Sequence, residues 1–147
     1  MRMPADRARD RFAAARVARL ATVNAQGVPR LVPVTFAVGG DTVVTAVDHK
    51  PKESTDLRRL RDISENPQVC LLADHYEDDW ERLWWARADG WARIAEAGGE
   101  RERAVEWLTE KYSQYRERPP EGPAILIEVT RWSGWTYAES PESHLGR

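Results

Sequence analysis

The sequence predicts a mainly β fold with peripheral α-helices, in which six or seven antiparallel strands curl into a closed or partly closed barrel. Three observations point there. Apolar, β-branched runs recur between clusters of turn-forming residues. The first three runs are joined by turns too short for the crossover that a parallel sheet requires. Only three segments carry helical periodicity and no internal repeat is present, which places the helices at the edges of the strand array. The 147 residues suit one domain, with a core from about residue 16 to residue 137.

Each element has its own justification. Pro4 to Arg16 reads as a helix with Phe12, Ala13 and Ala14 inward and arginines outward, and Asp6 complements its dipole. Val17 to Asn24 reads as a strand, and Asn24-Ala25-Gln26-Gly27 as a turn whose glycine can take a positive φ. Pro29 to Val38 returns as the second strand. Pro33 within it removes a ladder donor, so the stretch is an edge strand or bulges beside a ligand. Gly39-Gly40-Asp41 turns the chain into the third strand, Val43 to Val47.

Ser54-Thr55-Asp56 then opens a short helix with Leu57, Leu60 and Ile63 on one face, and Asn66-Pro67 ends it. Gln68 to Ala73 is apolar almost throughout and reads as a central strand, with Cys70 a small buried hydrophobe. Asp74 to Asp79 is an acidic loop without a recognised metal-ligand spacing, and reads as solvated. Leu83 to Glu96 is a long strand with Gly90 as a bulge or close-approach point. Alternation places Trp85, Arg87 and Asp89 on one face of it and Trp84, Ala86 and Ala88 on the other. Glu100 to Tyr115 is an amphipathic helix carrying Ala104, Val105, Leu108, Tyr112 and Tyr115 at helical spacing. Pro123 to Trp132 and Gly134 to Tyr137 read as the last two strands, and the residues after Ala138 as a polar tail.

Composition narrows the function. The net charge of −2 gives no bulk electrostatic reason for a nucleic-acid partner. No apolar run reaches the ~20 residues of a membrane span, and the first residues lack an apolar signal-peptide core. A lone cysteine rules out an internal disulfide and fits a reducing cytoplasm. Neither a dinucleotide-binding glycine fingerprint nor a P-loop is present. Seven tryptophans in so short a chain suggest an interface or a flat ligand.

The stretch from Val43 to Asn66 carries the most chemistry. Lys50 and Lys52, two of only three lysines, fall in the loop Asp48-His49-Lys50-Pro51-Lys52 between a strand and a helix. Arg58, Arg59 and Arg61 follow. Converging cations beside free backbone N–H groups at a helix start favour a phosphate. A solvated basic surface is the alternative that spacing alone leaves open.

At this point the chain resembles a known family, the split β-barrel flavin and deazaflavin oxidoreductases related to pyridoxamine-phosphate oxidase. The resemblance runs from about Arg16 to Tyr137. It is carried by RLATVNAQGVPRLVPVTFAV from Arg19, TAVDHKPKESTDLRRLRDISENPQVCLLAD from Thr45, and DDWERLWWARADGWARI from Asp78. The second and third stretches look most like the branch that uses coenzyme F420, an 8-hydroxy-5-deazaflavin, in place of FMN.

The resemblance implies that Lys50 and Lys52 grip the cofactor phosphate through charge-assisted hydrogen bonds. It implies that the ring lies against Val32, Pro33 and Val34 and against Thr45, Ala46 and Val47, addressed by backbone groups. Family members are homodimers with the cofactor in a groove between subunits, which allows Trp84 or Trp85 to reach the partner's ring. Plain packing of those tryptophans at the dimer interface is the competing reading. The implied activity is hydride transfer from reduced F420 to an electron-poor small organic acceptor such as an enone, quinone or tetrapyrrole. His49 and Tyr76 are candidate proton donors. An FMN-dependent oxidase, and a cofactor- or tetrapyrrole-binding protein without turnover, are the alternatives. The acceptor pocket is expected between Asp74 and Trp85 and in the tail.

Overall fold

The computed structural model describes residues 1–47 and 54–138, with residues 54–57 described as backbone only. The basic loop and the tail, 48–53 and 139–147, therefore lie outside the described residues.

Seven strands form one antiparallel sheet: β1 (Ala18–Val23), β2 (Pro29–Val34), β3 (Ala37–Gly39), β4 (Thr42–Ala46), β5 (Gln68–His75), β6 (Trp84–Ala95) and β7 (Ala124–Thr136). Four helices accompany them: α1 (Ala5–Ala14), α2 (Ser54–Glu65), α3 (Gly99–Lys111) and α4 (Ser113–Glu117). A 3-10 turn at Trp80–Arg82 precedes β6.

The strand order is β2-β1-β5-β6-β7-β4-β3, so the two edges are strands that follow each other in the chain. Only Thr35 and Phe36 separate them. Two intervening residues span at most about 11 Å, so the sheet must curl until its edges approach. No ladder joins β2 to β3, and the barrel is split along that seam.

The single strand expected from Pro29 to Val38 is thus two strands on opposite sides of a gap, and the expected meander is two separate hairpins. Pro33 does lie on an edge, as its missing donor requires. Gly40 makes the β3–β4 turn at φ 58°. The two last strands expected around Ser133 are one continuous strand. Gly134 is there because of packing: a Cβ would stand 3.0 Å from Met3 Sδ and from the Trp85 carbonyl oxygen.

Gly90 is the anticipated close-approach point. Asp89 faces Arg131 and Gly90 faces Val129, which leaves Thr130 as the extra residue of a bulge on β7. A Cβ on Gly90 would lie 2.2 Å from the Glu128 carbonyl oxygen.

The barrel interior holds Phe12, Leu20, Phe36, Val43, Leu71, Ala86, Ala88, Ile125 and Ile127. Phe12 of α1 plugs it, its ring 4.7 Å from that of Phe36 and 5.5 Å from that of Trp132. Ala14, expected inward, is exposed at the helix end. A second apolar cluster lies outside the barrel, where Ala104 and Leu108 of α3 with Tyr112 and Tyr115 cover Ala37, Val44, Ala46, Ala124 and Leu126. The helix expected from Glu100 to Tyr115 breaks between these pairs, because Tyr112 adopts extended backbone at φ −117° and ψ 119°. No helix among the described residues is long and apolar enough to cross a membrane.

Candidate functional site: the barrel seam

Where β2 and β3 part, side chains replace the ladder. Tyr112 sits there almost fully buried, with its hydroxyl 2.9 Å from the Arg16 and Phe36 carbonyl oxygens and accepting the Phe36 N–H at 3.1 Å. Burial pushes its phenol up from the ordinary range. Thr35 Oγ1 and Tyr115 OH lie 2.7 Å apart, and Thr45 Oγ1 donates to the Thr35 carbonyl at 2.7 Å. One tyrosine at the helix break therefore ties together the start of β1, the corner between the edges and the α3–α4 joint.

Lys111 reinforces the same junction. Its Nζ donates to the Ala13 and Ala15 carbonyls at 3.1 and 2.7 Å, capping the end of α1, and lies 3.7 Å from the Phe36 ring centroid. Burial, with repulsion from Arg16 second, brings the ammonium down to about 8.

Beside this junction opens a hollow of about 410 Å³ lined by Arg16, Val17, Thr35, Tyr112, Gln114 and Tyr115. Its chemistry is that of a small-molecule pocket: a guanidinium, hydroxyls, an amide and aromatic faces converge in a concavity. None of these residues was singled out from the sequence as a ligand group. The available signal was two tyrosines continuing an apolar helical stripe, since a buried phenol needs a partner for its hydroxyl.

The expected ring-binding residues are brought together in part. Val34, Thr45, Ala46 and Val47 are buried, with side chains turned away from any external ligand, while Val32 packs partly against the core. What the 32–34 strip offers is backbone, because an edge strand leaves alternate N–H and C=O groups unpaired, whereas β4 lies between β7 and β3 and Val47 bonds Pro123 and Gly122 through its own N–H and C=O. Pro33 is exposed on β2, directly opposite Arg19. The two strips, 32–34 and 45–47, meet at Thr35, and the hollow lies against that meeting point. Lys50, Lys52 and His49 fall outside the described residues.

Trp84 and Trp85 lie on opposite faces of β6, as alternation requires. Trp84 packs against the core with the Arg11 guanidinium 4.8 Å from its ring, and Trp85 faces outward with Arg87 5.3 Å away. Both are nine or ten residues along β6 from Ile94, which is level with Thr45 across β7, a separation of roughly 30 Å. Toward the other strip they are nearer: Pro33, Arg19, Leu72 and Arg87 fall in register, so the tryptophans lie three strands from β2 and two or three residues from the level of Pro33.

The region from Asp74 to Trp85, expected to line the acceptor pocket, carries ion pairs: Arg19 meets Asp74, and Glu77 meets both His75 and Arg82. Tyr76 is exposed. Cys70 is half-exposed rather than buried, its thiol pushed up by desolvation and by Asp89 opposite it. Among the described residues no group of three His, Cys, Asp or Glu side chains is arranged to hold a metal. Away from the seam, the buried Asp62 carboxylate accepts from Arg30 Nε at 2.7 Å and Thr22 Oγ1 at 3.1 Å, fixing α2 to the β1–β2 hairpin.

This arrangement of strands and helices has relatives. The sequence profile of pyridoxamine 5'-phosphate oxidase matches residues 5–136. The chain belongs to that family. No curated protein matches the sequence. Among solved structures of the same fold is a putative 5-nitroimidazole antibiotic resistance protein from Bacteroides thetaiotaomicron, with a TM-score of 0.70 and 14% identity over 91% of this chain and 86% of that one. The heme storage protein HutZ from Vibrio cholerae superposes with a TM-score of 0.67 and 18% identity over 91% and 95% of the two chains. An FAD binding protein from Mycobacterium smegmatis gives 0.61 and 16% identity over 93% and 99%. At these identities the likeness is one of fold, and the family supplies the frame in which the seam is to be read.

Proposed function

We propose that the protein is an oxidoreductase that transfers a hydride from reduced coenzyme F420 to an electron-poor small organic acceptor. The observation that carries this reading is the seam itself. In a chain of this family, two backbone edges meet beside a polar, aromatic hollow, which gives a flat ring an edge to bind and a neighbouring molecule a place to lie.

The fit to a deazaflavin rests on the chain's own groups. Buried Val34, Thr45, Ala46 and Val47 make a rigid backing, and the unpaired carbonyls and amides of the β2 edge match the polar rim of such a ring. Lys50 and Lys52 supply the phosphate grip. The reduced cofactor, when bound, supplies the hydride. The protein contributes orientation, a dry backing and anchorage. A candidate proton donor at the seam is the Thr35–Tyr115 hydroxyl pair, in place of Tyr76, which stands on a different surface.

The second subunit expected in this family has a surface to meet. The outer face of β2, β1, β5 and β6 presents Leu31, Pro33, Leu72 and Trp85 interspersed with Arg19, Asp74 and Arg87, Leu31 being 68% exposed. A homodimer through this face would also set Trp85 at an interface. Sedimentation at micromolar concentration tests it, and a monomer would remove the cross-subunit role of Trp84 and Trp85.

FMN is the second reading for the cofactor, favoured by the FAD binding protein among the structural relatives. Heme storage, the description of another relative, finds less support, since His75, the histidine within the described residues, is paired with Glu77. The deciding experiment is fluorescence titration of the purified chain with F420 and separately with FMN. Micromolar F420 binding with weak FMN binding supports the proposal; preference for FMN replaces the cofactor, and binding of neither overturns it.

A further inference from the structure

We propose that the hollow beside the seam is an anion subsite that takes the carboxylate of a flat organic acceptor, with Arg16 as the group that holds it. The proposal rests on the oxidoreductase reading and names the acceptor's chemical class.

Arg16 stands exposed at the rim of the hollow, and its guanidinium has no counter-ion among the described residues. Its Nη2 donates to the Lys111 carbonyl at 3.1 Å, and its Cζ lies 4.7 Å from the Tyr112 ring centroid. These contacts orient the group but satisfy only part of its five donors. No carboxylate among the described residues comes within ion-pair distance of it, whereas Arg19, Arg30, Arg82, Arg87 and Arg93 each meet one. An oriented, unneutralised fork in a concavity is suited to bidentate carboxylate binding.

The surroundings agree. Lys111 stands behind Arg16 and is disfavoured as a cation partly by that neighbour, which marks a locally positive potential that an anion would relieve. The Thr35 and Tyr115 hydroxyls form a polar floor. Val17, 44% exposed, and the faces of Tyr112 and Tyr115 supply apolar walls. A carboxylate on an aromatic or alkenyl frame satisfies both kinds of lining.

The chain's three lysines make side-chain NMR a sparse and direct readout. Benzoate is titrated into the purified full chain without cofactor, with neutral benzamide as the isosteric control. The expected result is saturable benzoate binding that raises the Lys111 pKa by about half a unit or more, with little effect of benzamide. Arg16→Gln should weaken benzoate binding about tenfold or more, and Arg16→Lys should restore part of it. Equal responses to benzoate and benzamide, or unchanged benzoate affinity in Arg16→Gln, would overturn the subsite. The free Lys111 signal in each variant reports that the junction is intact. A second arm repeats the titration with saturating F420. Retention of benzoate supports an acceptor site; its displacement assigns the hollow to an anionic part of the cofactor and overturns the acceptor assignment. Because the first arm needs no cofactor, a failure of F420 to bind is distinguishable from a failure of the subsite.

Discussion

The two flanks of this barrel are held by different forces. On the β5-β6-β7 flank every strand is paired on both sides, and its inner face packs on Phe12, Leu71 and Ile127. At the seam the ladder is missing, and Tyr112, Tyr115 and Lys111 span the gap with hydrogen bonds to carbonyls and to the Thr35 hydroxyl. Cooperative backbone pairing with apolar burial makes the first flank a scaffold. Individually modest side-chain bonds make the second a place where a ligand can compete for the same groups.

The contrast is sharpest for Phe12→Ala, which empties the middle of the closed flank. A loss of about 3–5 kcal/mol in urea unfolding is expected. The seam's counterpart is the double Lys50→Ala/Lys52→Ala variant, which should weaken cofactor binding by roughly 2–4 kcal/mol and leave folding almost untouched. Unchanged affinity there removes the anion-loop assignment.

Tyr112→Phe comes next. It removes a hydroxyl that meets three backbone groups, and the Phe36 N–H loses its acceptor, for a cost of about 1–3 kcal/mol. If it destabilised the fold as much as Phe12→Ala, the division between scaffold and seam would fail.

The smallest effect is one of pH. The folded Lys111 ammonium loses its proton near 8, whereas the unfolded one follows the ordinary 10.5. Between those values the unfolded chain binds more protons, so this lysine makes stability rise with pH across that window. Tyr112, raised in the fold, acts oppositely above its ordinary value of 10.0. Comparing wild type with Lys111→Met from pH 7 to about 10 isolates the first contribution; an identical slope in both would sink it.

Much of the closed flank was legible because its signals are local. Gly90 interrupts a strand pattern and proves to be where β7 crowds the backbone. Pro33 reports its edge through a missing donor. The seam was not legible, for physical reasons. Thr35 and Phe36 carry no turn signature because the chain crosses a gap there instead of reversing. Helical spacing persists through Tyr112 and Tyr115 although the backbone between α3 and α4 does not stay helical. Gly134 read as the start of a separate last strand and instead lies within β7, packed against Met3, far away in sequence. Arg16, Thr35 and Tyr115 come from three separated segments, so only the folded chain shows them as one site.

The position of β7 also governs how the protein can be made. Its first five residues, Ala124 to Glu128, pair with β4, and its full length runs along β6, so among the described residues it is the sole link in the ladder between β2-β1-β5-β6 and β4-β3. A nascent chain halted before residue 124 holds a four-stranded piece and a detached hairpin, each with a hydrogen-bonding edge open to other chains. Vectorial synthesis therefore cannot complete the barrel stepwise: β7 joins both pieces in a single late event, and any delay in its emergence lengthens the interval in which both edges stay open.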